Sequence, residues 1–131
     1  MKWAVIIVRS LVGLAFTAIG AMYFFVPMPE PPVTDPDHPM VRFGKVLTET
    51  PYMTVVKMLE LIGGLLLLSG QYVPLGLTIL TPILVNVMLF DLLLARQPGL
   101  GEVFLALTIF LIWAYRSHFA PVFARNANIG A

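Results

Sequence analysis

Three stretches of the chain, Leu11 to Val26, Leu61 to Phe90 and Val103 to Tyr115, contain no charged side chain. A bilayer core about 30 Å thick needs about 20 mostly apolar residues per spanning helix, so runs this long and this pure belong in lipid. Composition agrees: 59% of the 131 residues are hydrophobic and 11% charged, with a mean hydropathy of +0.90. A soluble domain carries about 25% charged residues. The expected fold is therefore all-α and integral to the membrane, a four-transmembrane-helix bundle with spans at about 3–26, 52–70, 72–94 and 103–120. The whole chain is one membrane domain. Too little is left outside the bilayer for a soluble catalytic domain.

The first apolar segment is longer than the roughly 7–15 apolar residues of a secretory signal and carries Arg9, so it reads as a span. Ser10, Gly13, Thr17, Gly20 and Ala21 recur along it as a stripe of small residues through which a second helix can approach closely. Residues 27–39 are rich in proline, whose fixed φ and missing N–H exclude a regular helix, so an extended loop is expected there. Over about 40–50, Met40, Phe43 and Leu47 fall on one helical face and Arg42, Lys45 and Glu49 on the other. A short helix lying in the interface plane suits that pattern, ended by Thr50-Pro51. Ser69-Gly70-Gln71 with Pro74 should make a tight hairpin between the second and third spans. Gln97-Pro98-Gly99 breaks the chain before the fourth, whose far end carries Trp113 and Tyr115 as an aromatic belt would.

The formal charge is +1 and the basic residues are scattered, which argues against a nucleic-acid partner. The chain has no cysteine, and so neither disulfide nor thiol chemistry. His38 and His118 fall in a loop and at a helix end, poorly placed to hold a haem between helices, and the methionines are too dispersed for a copper path. No intrinsic cofactor or metal is expected. Lys2 and Arg9 crowd the start of the first span while Glu30, Asp35 and Asp37 follow it, so both termini are expected in the cytoplasm.

The chemistry-bearing residues are those inside the spans. Arg9, Lys57, Glu60 and Asp91 are ionisable, and a lone charge at the bilayer centre costs about 2.5–3.5 kcal/mol on insertion scales, so they need partners. Lys57 and Glu60 share a face at i,i+3, and the four formal charges cancel. Thr78, Pro82 and Asn86 form a polar stripe at i,i+4 on the third span. Two readings follow from these positions. Arg9, Lys57, Glu60 and Asn86 line a polar pocket for a quinone-like head group or a proton, with Asp91 and Thr78 as additional contacts; or they form an ion network that fixes helix packing.

The string VVKMLELIGGLLLLSGQYVPLGLTILTPILVNVMLF resembles the DoxX family of small prokaryotic membrane proteins. The similarity rests on Arg9 with Leu11, Gly13 and Leu14, on Lys57 and Glu60 followed by Gly63 and Gly64, and on Pro82 with Asn86. The resemblance implies a four-helix bundle in the inner (cytoplasmic) membrane of a prokaryote and an association with quinone-linked redox systems. Where this chain has Asp91, histidine is common in the family, so a role resting on that histidine does not transfer. The expected function is a non-catalytic accessory subunit of a larger respiratory or redox complex, partnered by lipid and by other membrane subunits or further copies of itself, and docked through its small-residue faces. The alternative is a quinone- or lipid-binding redox component with its own intramembrane pocket.

Overall fold

A computed structural model describes residues 1–27 and 35–130. Its described residues form helices and their connections, without strands: α1 (Lys2–Phe25), α2 (Pro39–Glu49), α3 (Tyr52–Ser69), α4 (Val73–Leu89, continued by a π-helical turn over Phe90–Leu94), α5 (Leu100–Ala114) and α6 (Arg116–Phe119), which runs into a 3₁₀ turn over Ala120–Phe123. Three helical segments, Lys2–Phe25, Tyr52–Ser69 and Val73–Leu94, are long and apolar enough to cross a membrane. A fourth crossing is counted if α5 and the bent segment after it form one span. Most of the proline-rich loop expected at 27–39 lies outside the described residues.

The ends of the helices follow local chemistry. His38 caps α2, its Nδ1 accepting from the Met40 N–H at 3.2 Å, with Pro39 in the first turn where a missing N–H costs nothing. Gly70 closes α3 in the left-handed conformation, φ 77°, open to a residue without Cβ, and the turn into α4 is as tight as expected. Glu102 reaches back to the Gly99 N–H and so satisfies one of the free donors at the start of α5.

Helices α1, α3, α4 and α5 close into a ring in which α1 packs on α3, α3 on α4, α4 on α5 and α5 back on α1. The small-residue stripe decides the most extensive of these contacts. A Cβ on Gly13 would stand 2.6 Å from the Leu68 backbone nitrogen, and one on Gly64 would stand 2.6 Å from that of Thr17, so α1 and α3 meet backbone to backbone. The expected docking of that stripe against another subunit is thereby corrected: the face is consumed within the chain. Val12, Phe16, Leu67, Leu77, Leu80, Leu84, Leu105 and Leu111 fill the ring, and Ile7, Leu14, Ile62, Leu75, Leu93 and Ile109 are exposed around it. A belt of exposed aliphatics of this breadth is what lipid, not water, solvates.

One boundary differs from the sequence expectation. The last helix is straight only to Ala114, and the segment after it turns by 82° instead of continuing to residue 120. Arg116 donates to the Trp113 carbonyl at 2.9 Å and stacks over the Trp113 ring, while Tyr115 and Phe119 pack back on the core. The polar run Arg116-Ser117-His118 gains solvation by leaving the bundle axis, and the aromatics on either side hold the bend.

Candidate functional site

The ion pair on α3 forms as its spacing requires. Lys57 Nζ lies 3.0 Å from Glu60 Oε2, and the two side chains are 21% and 6% exposed. Eight residues from the start of α3, Glu60 lies about 12 Å into the helix. Gly63 and Gly64 follow it, and without side chains there Leu80 of α4 and Thr17 of α1 close over the same stretch. Toward the near end, Tyr23 and Thr54 hydroxyls share a hydrogen bond of 3.2 Å that ties α1 to α3. The pair is neutral overall, the form in which two charges can be buried without an outside counter-ion.

Arg9 does not join it. Its Nη1 donates to the Tyr115 hydroxyl over a long 3.4 Å, and its guanidinium lies against Gly70, where a Cβ would meet Nη2 at 3.1 Å. Gly70 is ten residues beyond Glu60 on the same helix, about 15 Å along its axis. Helix α3 ends at Gly70, so the cation lies against the negative end of that helix, while Tyr115, the residue that follows α5, reaches it through its hydroxyl. Its Nε has no acceptor among the described residues.

Asn86 and Thr78 do not join it either. Both are exposed on the outer face of α4, whose inner face buries Val73, Gly76, Leu77, Leu80 and Leu84. Thr78 donates to the Pro74 carbonyl at 2.8 Å and Asn86 Nδ2 to the Pro82 carbonyl at 3.0 Å, each bonding back onto its own helix. The expected common pocket of Arg9, Lys57, Glu60 and Asn86 is therefore corrected: the structure holds one pair and two separate residues. The spacing gave depth, but the rotation of α4 was set by its apolar face, which leaves the Thr78 to Asn86 stripe on the opposite side.

Asp91 stands beside Gly99 and Gly101 at the start of α5, next to the carboxyl of Glu102. Glu102 was not singled out in the sequence, although a glutamate three residues after a break is a helix-start signal. Tyr115, expected in an aromatic belt, supplies the hydroxyl that partners Arg9. Inside the ring, the hydroxyls of Thr17 and Thr108 are buried with no partner among the described residues. Two open apolar grooves lie at the ends, one at the bend after α5 (Trp113, Arg116, Phe119) and one where α2 meets α3 (Pro51, Tyr52, Leu59); neither is lined by Arg9, Lys57, Glu60 or Asn86.

No protein-family model, curated protein or solved structure matches this chain.

Proposed function

We propose that the chain is a four-span, DoxX-like membrane protein that works as a non-catalytic accessory subunit and docks on other membrane helices through the outer face of α4. The observation that carries this reading is Asn86. It is exposed on α4, within an apolar helix of spanning length, and no hydrocarbon chain can bond its amide. A neighbouring helix can. The Lys57–Glu60 pair then serves to fix the bundle, and Arg9 to tie α1 to Gly70 and Tyr115 at the ends of α3 and α5. The redox character of the partner complex rests on the family resemblance alone.

The test is gentle extraction of the full-length chain from its native membrane, followed by size analysis and extraction of bound lipid and quinone. The expected result is an assembly larger than the single chain, without stoichiometric quinone, that Asn86→Leu breaks up. A lone protein that retains quinone and releases it on Glu60→Gln would overturn the proposal in favour of the quinone-binding alternative.

A further inference from the structure

We infer that the outer face of α4 pairs with the same face of a second copy, Asn86 against Asn86 across a two-fold axis along the membrane normal. This inference names the first partner of the docking face proposed above and rests on that reading.

Asn86 lies 13 residues from Val73 and eight from Leu94, about 20 Å and 12 Å from the two ends of that helical segment, and hence well inside hydrocarbon. Its one hydrogen bond among the described residues goes to the Pro82 carbonyl, which leaves one N–H and the carbonyl Oδ1 directed outward. Pro82, also exposed, lacks the N–H that the Thr78 carbonyl would accept in a regular helix, so a second polar group opens on the same face. The helix cannot turn to hide them. Gly76 would have to leave the Gly63 carbonyl, which a Cβ would meet at 3.2 Å, and Leu77, Leu80 and Leu84 would leave the core.

Copies of one chain inserted in one membrane share an orientation, so a two-fold pair brings residues of equal depth together. A residue that serves such a pair must be complementary to itself. The carboxamide is, because it carries donor and acceptor and two of them exchange two hydrogen bonds. A foreign helix would have to offer a matching polar group at the same depth, whereas a second copy offers it by symmetry. Leu75, Pro82, Asn86 and Leu89 fall on one helix seam at spacings of seven, four and three residues, with Thr78 and Val85 beside it, and all six are exposed.

The natural sequence has no cysteine, so a single introduced thiol reports without background. Val85→Cys and Leu89→Cys keep Asn86 and should give disulfide-linked dimers when native membrane vesicles are oxidised. Ile62→Cys, exposed on α3, should not. Adding Asn86→Leu to Val85→Cys should slow dimer formation about tenfold, the scale of one to two interhelical hydrogen bonds, and Asn86→Gln should largely restore it. Leucine suits a lipid-facing site, and an unchanged thermal midpoint of the Asn86→Leu bundle would show that the fold persists. The pairing is overturned if Val85→Cys and Leu89→Cys remain monomeric, or if Asn86→Leu leaves their rates unchanged. Thiols that remain monomeric within a larger assembly that Asn86→Leu dissolves would overturn the second copy and leave the docking face standing. An Asn86→Leu substitution that alters neither assembly nor cross-linking would overturn both.

Discussion

Removing the two members of the α3 ion pair should cost unequal amounts. The Glu60 side chain is 6% exposed and that of Lys57 21%, and Lys57 lies three residues nearer the start of α3, about 5 Å closer to the membrane face. The lysine stem is long enough to carry its charge toward that face, whereas the glutamate is too short and too deep to follow. Lys57→Met therefore strands a buried carboxylate and should cost about 3–5 kcal/mol, the usual penalty for breaking a buried pair. Glu60→Leu strands an amine that can partly escape, and should cost about 2 kcal/mol. With both changed no charge is left behind, and the double variant should fall within about 1 kcal/mol of the natural protein. Equilibrium unfolding in mixed micelles, followed by loss of helical signal, gives all three numbers and the coupling between the sites. If the two single costs simply add in the double variant, the residues do not act as a buried pair and the structural role given to them fails.

Gly64→Ala should destabilise by about 2–3 kcal/mol in the same assay, because its Cβ would meet the Thr17 backbone at 2.6 Å and neither helix can yield; Gly44→Ala, with nothing within 4 Å, should stabilise α2 by about 0.5–1 kcal/mol. Gly70→Ala should cost at least about 1 kcal/mol, from the left-handed backbone alone, and more through the displaced Arg9 guanidinium. For the topology, single cysteines at Lys2 and Asn126 should react with an impermeant maleimide from one side of the membrane and those at Thr50 and Gln97 from the other; Lys2 and Asn126 on opposite sides would leave three spans rather than four.

The helices were legible because their signals are long. Apolar runs bounded by Pro and Gly placed α1, α3 and the segment from Val73 to Leu94 within a residue or two, and the amphipathic alternation of Met40, Phe43 and Leu47 located α2. The i,i+3 pair was legible because it lies on one helix, where spacing fixes geometry. What spacing could not give was the rotation of one helix against another. Lys57, Glu60 and Asn86 at compatible depths, with Arg9 reaching in from the opposite side, suggested one pocket, but Arg9 stays at Gly70 and α4 buries Gly76, Leu80 and Leu84 against its neighbours and so carries Thr78 and Asn86 outward. In lipid both faces of a helix are apolar, so the contrast between an inner and an outer face that orients a soluble helix is nearly absent. The bend after Ala114 was missed for a related reason: it depends on where the Arg116 and Tyr115 side chains find partners, and those partners, Trp113 and Arg9, are known only once the helices are packed.

The three polar features of the long apolar helices differ in how their cost is met, and that difference separates the structural residues from the candidate docking residue. Lys57 and Glu60 neutralise each other at 3.0 Å on one helix and leave little for a ligand to gain. Arg9 is a charge without an ion-pair partner among the described residues, but it rests against Gly70 at the negative end of α3 and donates to the Tyr115 hydroxyl, so the fold itself supplies part of the compensation. Asn86 is uncharged and therefore the least costly of the three to expose, yet its one side-chain bond among the described residues turns back on its own helix and leaves one N–H and the Oδ1 carbonyl without a partner there. Buried groups whose cost is met inside the chain hold the chain together. An exposed group whose cost is not met among the described residues is one that another helix has reason to cover.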